Sequence, residues 1–202
     1  MQTIDKAFPE EMFISIKQKI SSNDFNWNFI PVTGYDDKQS MEDCRNFHLV
    51  HICLSENKVH DSPVYDELVA GLKIALKTAN IELDEIKRIR VNAFTNVGKH
   101  FVHDAHIDST KPHKIAILYI NESHDSVTYV YNEKYDAKSN LDVRRFKQEV
   151  LQDKFTVAKK VYPKQNRLFI CDGSHYHSSS TPTLVKARIA VNFNFTVKNS
   201  ES

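Results

Sequence analysis

The chain has 202 residues and a mass of 23.4 kDa, the size of one ordinary domain. Its Lys and Arg residues total 27 against 26 Asp and Glu, so the formal charge of +1 lacks the basic excess of a protein that binds nucleic acid through charge alone. Apolar residues make up 41% and charged residues 26%, which excludes a wholly disordered chain.

The first third of the chain predicts two helices and one strand. Helical spacing of apolar residues, with a proline and two glutamates at its start, predicts a first helix over residues 9–20. The apolar segment 48–54 (HLVHICL) predicts a strand. A second helix is expected to start from a cap at Asp61 or Ser62, with Pro63 in its first turn.

The chain from residue 86 onward predicts a β domain. Its short alternating runs are typical of a sandwich or barrel: RIRVNAF, HKIAILYIN, SVTYVY, RLFICD and ARIAVNFNFTV. We therefore expect a single domain over 1–202, in which residues 1–85 form a helical support region and residues 86–197 form the β core. One interruption, 140–154, has apolar residues at helical spacing and predicts a helix inserted between strands.

Three features of the sequence predict where the protein works. No apolar run approaches the roughly 20 residues that cross a bilayer, so we expect no membrane segment. The N-terminus is acidic and lacks the pattern of a secretory signal. Its three cysteines, Cys44, Cys53 and Cys171, have no spacing typical of zinc sites or disulfide frameworks and are expected to be reduced. Together these features predict a cytoplasmic protein.

A His-x-Asp triplet provides the first candidate for chemistry. His106 and Asp108 lie two residues apart, so in an extended strand their side chains leave on the same face and could bind one metal ion. The chain has 10 histidines, and chance alone supplies roughly one such triplet in a sequence of this composition. Taken by itself, the triplet favours a surface pair or a hydrogen-bonded support.

The C-terminal part of the sequence adds a second source of ligands. Residues 167–195 contain an apolar strand, a histidine at either 175 or 177, and a later strand that carries Arg188. Two histidines and one carboxylate leave open positions on an octahedral metal, an arrangement used by non-haem Fe(II) oxygenases. A 2-oxo acid and dioxygen could fill those positions, and Arg188 could pair with the remaining carboxylate of 2-oxoglutarate.

Over about residues 86–195, the sequence resembles the Fe(II)/2-oxoglutarate-dependent oxygenases. The resemblance is to the prolyl-hydroxylase-like branch, and particularly to its small microbial and phage members. It is carried by HID at 106–108, by IAILYIN followed by SHDSVTYVY, and by DGSHYHSSSTP followed eleven residues after its last histidine by Arg188. The order of these motifs is more specific than any one of them.

The resemblance implies a set of site residues. His106, Asp108 and His177 match the iron ligands of the family, which makes them the catalytic residues. Arg188 matches the basic residue that holds the distal carboxylate of 2-oxoglutarate. Tyr119 stands where the family often has a tyrosine that hydrogen-bonds the same carboxylate, although an aromatic residue in an apolar strand is equally expected in the core.

The resemblance also implies a fold and an activity. The family fold is a double-stranded β-helix of the jelly-roll, cupin-like type, supported by α-helices on one sheet. The implied cofactors are Fe(II), 2-oxoglutarate and O2, with ascorbate as an optional reductant. The implied reaction hydroxylates a C–H bond and releases succinate and CO2, and the substrate would be a peptidyl proline, another protein side chain or a small molecule. Fold alone does not fix the substrate.

Several histidines and one turn leave alternatives open. His175 is the rival of His177, which is favoured because the family pattern places the ligand directly before a run of small residues. His100 and His103 are expected at the rim of the site, and His48 and His51 in core or surface packing. The turn SHDS at 123–126 departs from the glycine-rich turn of the family.

Two other classes of function fit the same residues. A non-enzymatic jelly-roll module would keep the metal for structure or would bind a sugar. A cupin-type isomerase, or a dioxygenase that does not use 2-oxoglutarate, would need the metal ligands but no buried cation at Arg188.

Overall fold

The structure is a computed structural model that describes residues 1–31, 33, 47–138, 145–146 and 154–198. These residues form two helices, α1 (Glu10–Ile20) and α2 (Tyr65–Thr78). They also form thirteen strands: β1 (Gln2–Asp5), β2 (Asn28–Ile30), β3 (His48–Ser55), β4 (Lys58–Val59), β5 (Leu83–Thr95), β6 (Ala105–His106), β7 (Lys114–Tyr119), β8 (Thr128–Lys134), β9 (Arg145–Phe146), β10 (Val157–Val161), β11 (Arg167–Asp172), β12 (His175–Ser179) and β13 (Ala187–Val197).

The strands form two antiparallel sheets. The larger sheet has eight strands, with seven in the order β1-β11-β7-β13-β5-β3-β2 and β4 paired with β3. The smaller sheet has five strands in the order β10-β8-β12-β6-β9. The longest pairing in the larger sheet joins β13 to β5. The described part of the chain is therefore mainly β with two helices, as the sequence predicts.

The central strand β7 of the larger sheet has one face towards the helices and one towards the smaller sheet. On β7, Ala116 and Leu118 pack in the core cluster that includes the helices. Their neighbours Ile117 and Tyr119 belong to a different cluster, together with Val130 of the smaller sheet. Since side chains alternate along a strand, the helices cover the outer face of the larger sheet and the inner face lies between the two sheets.

The first helix and the strand at 48–54 are confirmed, but the second helix begins later than predicted. Its first residue is Tyr65, two positions after Pro63, and no side chain caps its N-terminus. The hydroxyl of Ser62, one of the two predicted caps, accepts from the Val64 backbone N–H only at 3.5 Å; it also contacts His51 Nε2 at 2.9 Å and donates to Cys53 Sγ at 3.3 Å. The polar group that would start the helix therefore helps to join α2 to β3.

Two of the predicted segments contain strands as well as helices. Residues 1–85 also supply β1–β4, and β5 begins within them at Leu83. Of the helix predicted over 140–154, the structure describes only 145–146 and 154, and the rest lies outside the described residues. Arg145–Phe146 is extended and pairs with β6, so the helix prediction is wrong at these two residues, whereas Lys154 is helical as predicted. Pairing with the backbone of a neighbouring strand here overrides the helical pattern.

The remaining global expectations concern membranes and thiols. Among the described residues, no helix has the length and apolar character needed to cross a membrane. Cys53 and Cys171 are buried and free, as expected. Burial raises the pKa of Cys53 to about 11 and that of Cys171 to about 12, so both thiols stay protonated and unreactive. Cys44 lies outside the described residues.

Candidate active site

Two paired strands of the smaller sheet bring three candidate ligands together. His106 at the end of β6 lies directly opposite His177 on β12 in the antiparallel ladder. Their rings are 4.5 Å apart between centroids. Asp108 follows β6 by two residues, and one ligand atom from each of the three side chains lies within 4.8 Å of the others. The structure thus assembles the predicted His-Asp-His set from residues about 70 positions apart.

Hydrogen bonds to the backbone orient both imidazole rings. His106 Nδ1 lies 3.2 Å from the carbonyl oxygen of Asp104, and His177 Nδ1 lies 3.3 Å from that of His175. Because a carbonyl oxygen can only accept, each Nδ1 carries a proton, and in the neutral form of each ring the lone pair is therefore on Nε2. The Nε2 atoms of His106 and His177 lie 3.8 Å and 4.0 Å from the carboxylate oxygens of Asp108.

The charge states of Asp108 and His177 suit a divalent cation. Burial alone would raise the pKa of the Asp108 carboxyl, but Arg88, the two histidines and a hydrogen bond from Asn194 together hold it well below its usual range. Arg88 Nη2 lies 2.6 Å from Oδ1, and Asn194 Nδ2 donates to Oδ2 at 2.9 Å. Burial lowers the pKa of His177, which is therefore neutral at pH 7. The site therefore offers an anionic oxygen from Asp108 beside the neutral imidazole of His177.

An unsatisfied buried atom shows that the residues fit a metal ion. His177 is 3% exposed, and its Nε2 has no hydrogen-bond partner among the described residues. A buried nitrogen lone pair without a partner is costly unless a ligand occupies it. Two imidazoles and one carboxylate are the donor set expected for Fe(II) with open coordination positions.

A buried cation lies at the other end of the same cavity. Arg188 on β13 is 2% exposed, and no carboxylate among the described residues pairs with it. Its Nη2 donates to Thr128 Oγ1 at 2.5 Å, and the hydroxyl of Tyr119 donates to the same oxygen at 2.8 Å. The guanidinium carbon lies 5.6 Å from the ring centroids of both Phe94 and Tyr119. Burial lowers the pKa of Arg188, but a guanidinium remains charged in a protein.

One cavity of about 490 Å³ between the two sheets joins these two ends. Its walls include the three clustered ligands, Thr128 and Arg188. Tyr119 is fully buried and contacts Thr128 from behind rather than forming part of the wall. Of the five predicted site residues, four therefore face one cavity, and Tyr119 lies behind its wall in contact with Thr128 and Arg188.

The structure separates His177 from its rival His175. The ladder between β12 and β8 shifts register between these two residues, so they do not occupy equivalent positions. The ring of His175 turns to the backbone of the smaller sheet, with Nδ1 2.7 Å from the carbonyl oxygen of Tyr131. Only His177 lies in the cluster with His106 and Asp108 among the described residues.

The other histidines differ in part from expectation. His51 is confirmed in the core, with Nδ1 2.7 Å from the carbonyl oxygen of Asn26. His103, expected as a partly exposed loop or rim residue near the substrate entrance, does lie in a loop and line the cavity, but it is only 5% exposed and packs against Phe94, so the expected exposure is wrong. His48 stacks on the same phenylalanine ring, and both histidines line the cavity. His100 remains exposed.

The turn at 123–126 has no glycine and is fixed by hydrogen bonds to the carboxylate of Asp125. Asp125 Oδ2 accepts hydrogen bonds from the backbone N–H groups of Thr183 and Leu184 at 2.5 Å and 2.9 Å. Hydrogen bonds from Thr183 and Ser123 hold the pKa of Asp125 at about 2, although burial works in the opposite direction. The turn thus ties β8 to the loop that leads to Arg188.

The sequence analysis missed a row of polar residues on the larger sheet. Arg88, Arg90 and Asn92 on β5, with Asn192 on β13, line the cavity. The signal is present in RIRVNAF and ARIAVNFNF, where polar residues alternate with apolar ones. An alternating strand usually turns its polar face to solvent. Here the helices cover the apolar face, and the polar face points inward.

The comparisons by sequence find no relative: the chain matches no protein-family model and no curated protein. Solved structures do match. A prolyl hydroxylase from Trichoplax adhaerens, in complex with a hypoxia inducible factor oxygen degradation domain peptide fragment, has a TM-score of 0.57 at 11% identity, over 96% of this chain and 82% of that one. An oxidoreductase of the 2OG-Fe(II) oxygenase family from Burkholderia pseudomallei has a TM-score of 0.63 at 10% identity, over 96% and 85%.

A prolyl-4-hydroxylase from Pseudomonas putida also matches, with a TM-score of 0.51 at 9% identity, over 98% of this chain and 92% of that one. At such identities the likeness concerns the fold. The chain therefore has the fold of 2-oxoglutarate oxygenases of the prolyl-hydroxylase-like type, which confirms at the level of fold the resemblance drawn from the sequence.

Proposed function

We propose that the protein is an Fe(II)- and 2-oxoglutarate-dependent dioxygenase that hydroxylates a C–H bond of its substrate and releases succinate and CO2. One observation carries the proposal. A single cavity has a His-Asp-His cluster at one end and, at the other, the buried guanidinium of Arg188 without a carboxylate partner among the described residues. The first end offers donor atoms for a divalent metal and the second offers a guanidinium for a carboxylate, so a metal-chelating dicarboxylate would contact both.

In this proposal His106, Asp108 and His177 hold Fe(II). Asp108 is kept ionised and fixed in place by Arg88 and Asn194, so its oxygen is ready to bind a cation. The backbone contacts of the two rings direct their Nε2 atoms to the same point. Such supporting hydrogen bonds orient metal ligands and raise their basicity.

Arg188 binds the distal carboxylate of 2-oxoglutarate. A buried charge without a counter-ion is unfavourable, and a carboxylate satisfies it through paired, charge-assisted hydrogen bonds. Thr128 adds a hydroxyl at the cavity wall, and Tyr119 fixes that hydroxyl from behind. We assign Tyr119 to cosubstrate binding through Thr128.

The bound iron and cosubstrate, with O2, supply the oxidising chemistry. The chain binds and orients the cosubstrate, keeps Asp108 ionised and His177 neutral, and shields the reacting centre between two sheets. No protein nucleophile is needed. Ascorbate as an optional reductant remains a prediction.

The jelly-roll topology, the substrate class and the cellular location belong to the same proposal. We assign the two antiparallel sheets to a jelly-roll double-stranded β-helix within a single domain over 1–202. The Trichoplax structure contains a peptide, which supports a peptidyl proline or another protein side chain as one substrate class. Small molecules remain the other class, nucleic acid stays an unfavoured partner, and a cytoplasmic location remains a prediction.

An anaerobic titration tests the proposal. Addition of 2-oxoglutarate to the Fe(II)-loaded protein should produce the visible charge-transfer band of a 2-oxo acid chelated to ferrous iron. The His106→Ala variant should lose the band, whereas His100→Ala, which removes an exposed histidine outside the cavity, should keep it. A folded, metal-binding protein without the band would contradict the proposal and favour the metal- or sugar-binding module.

A further inference from the structure

The cavity contains a second cationic region on β5, separate from Arg188. Side chains at alternate positions of this strand, Arg88 and Arg90, face the cavity beside the metal ligands. The two arginines differ in their partners. Arg88 forms the ion pair with Asp108 at 2.6 Å.

Arg90 has no such partner. Its guanidinium makes no hydrogen bond or ion pair with any described residue, and its Nε is buried and unsatisfied. Burial and the neighbouring Arg88 lower the pKa of Arg90, whereas Asp108 raises it. Without a ligand, Arg90 is destabilised both by partial burial of its charge and by repulsion from Arg88. A negatively charged ligand would offset both effects.

Side chains on the two strands next to Arg90 complete a candidate binding subsite. In the larger sheet Arg90 lies between Ile52 of β3 and Asn192 of β13, and both residues line the cavity. The amide of Asn192 can add a hydrogen bond to an anionic group, and Ile52 offers an apolar contact. A charged group with one polar and one apolar neighbour is typical of a small-ligand site.

The proposed cosubstrate does not neutralise the cavity. Among the described residues, its walls carry three arginines against the carboxylates of Asp104 and Asp108, with the histidines counted as neutral. A divalent metal adds two positive charges, and 2-oxoglutarate brings two negative ones. One positive charge then remains in excess among the described residues. Arg90 is the arginine that neither pairs with Asp108, as Arg88 does, nor is assigned to the cosubstrate, as Arg188 is.

We propose that Arg90, assisted by Asn192, binds a carboxylate of the substrate, so that the substrate is a small organic acid or a chain end with a free carboxylate rather than a neutral residue within a peptide. This inference rests on the proposed function and deepens it. The carboxylate would lie on the larger sheet beside the metal ligands, which orients the rest of the molecule towards them. The cavity has a volume of about 490 Å³, and the part not filled by the metal and 2-oxoglutarate suits a small molecule.

The test uses a matched pair of probes that differ in charge but hardly in shape. Cyclopentanecarboxylate and cyclopentanecarboxamide are titrated into protein loaded with Mn(II) and saturating 2-oxoglutarate, and the paramagnetic relaxation of the probe protons is measured. The wild type should bind the acid about tenfold more tightly than the amide, as expected for a charge-assisted pair. Acetate and acetamide serve as a smaller second pair.

Variants assign this preference to Arg90. Arg90→Met keeps the length of the side chain without the charge and should reduce the preference to less than about twofold, while Arg90→Lys should retain part of it. Lys87→Met removes an exposed charge from the same strand outside the cavity and should leave the preference unchanged. Equal binding of acid and amide by the wild type, or an unchanged preference in Arg90→Met, would overturn the proposal and favour a neutral substrate.

The affinity for 2-oxoglutarate separates this inference from the function on which it rests. Arg90→Met should bind the cosubstrate with an affinity within about twofold of the wild type, measured by the ferrous charge-transfer band. If Arg90→Met instead loses 2-oxoglutarate binding, Arg90 serves the cosubstrate and the subsite proposal is wrong. If the wild type itself gives no band, the proposed function fails, and the inference fails with it.

Discussion

A buried guanidinium such as Arg188 lowers the stability of the folded protein when no ligand is bound. Its hydrogen bond to Thr128 satisfies one nitrogen, but its Nε has no partner among the described residues. Replacement of buried charges by apolar side chains of similar size is often neutral or stabilising. The position of Arg188 is therefore better explained by a role in cosubstrate binding than by a contribution to the free energy of unfolding.

The substitution Arg188→Met separates these two roles. We expect the free energy of unfolding of the metal-free protein to stay unchanged or to rise by about 1 kcal/mol, because an unpaired buried charge is removed. The affinity for 2-oxoglutarate should fall by about tenfold or more, because a charge-assisted contact is lost. Urea unfolding and titration of the charge-transfer band measure the two effects. A loss of several kcal/mol in stability with unchanged affinity would show that Arg188 is structural.

At the scale of elements, the site depends on how the helices pack on the outer face of the larger sheet. Gly71 lies in the middle of α2, and a Cβ atom there would overlap the ring of Phe8. That ring cannot easily move, because the backbone of Phe8 is held by both ends of the Asn166 side-chain amide at 3.0 Å and 2.9 Å. The glycine therefore allows close approach of α2 to the segment before α1.

The substitution Gly71→Ala tests this contact. Alanine favours a helix over glycine by up to about 1 kcal/mol, but overlap with a fixed core ring costs more, so we expect a net loss of about 2 kcal/mol. The melting temperature should fall by about 5 °C for a protein of this size. Lys73→Ala, at an exposed position of the same helix, should change stability by less than about 0.5 kcal/mol. A more stable Gly71→Ala variant would refute the close contact.

At the scale of the whole molecule, enclosure between two sheets changes the titration of the buried histidines. Burial, with Arg188 and His48 nearby, lowers the pKa of His103 to about 3. The folded protein then keeps this ring neutral, while the unfolded chain binds a proton below about pH 6.5. Stability should therefore be independent of this histidine above pH 6.5 and should fall as the pH decreases towards 3.

The variant His103→Gln isolates that effect. In metal-free protein, the free energy of unfolding should decrease between pH 6.5 and 4.5 with a slope that is up to about 1.4 kcal/mol per pH unit shallower in the variant than in the wild type. Glutamine can still hydrogen-bond Ser179, the partner of His103 at 2.8 Å. Urea unfolding at several pH values gives the slopes, and His100→Gln is the control at an exposed histidine. Equal slopes in the wild type and His103→Gln would contradict the neutral buried ring.

The sequence by itself determined the features that depend on near neighbours in the chain. Helical spacing marked α1, and alternation marked long strands such as β5 and β13, because these periods follow from local backbone geometry. His106 and Asp108 could be paired for the same reason, since they lie two positions apart. The start of α2 was predicted too early, because the hydroxyl of Ser62 interacts with His51 and Cys53 of β3.

The tertiary structure alone decided the features that depend on how distant strands pair. The register of β12 against β6 selects His177 over His175, and only the packing of the helices shows that Arg90 faces inward. Tyr119 illustrates the same limit, because its contact with Thr128 depends on how β7 packs against β8. Register and packing result from the summed contacts of the whole fold, and no local period in the sequence encodes them.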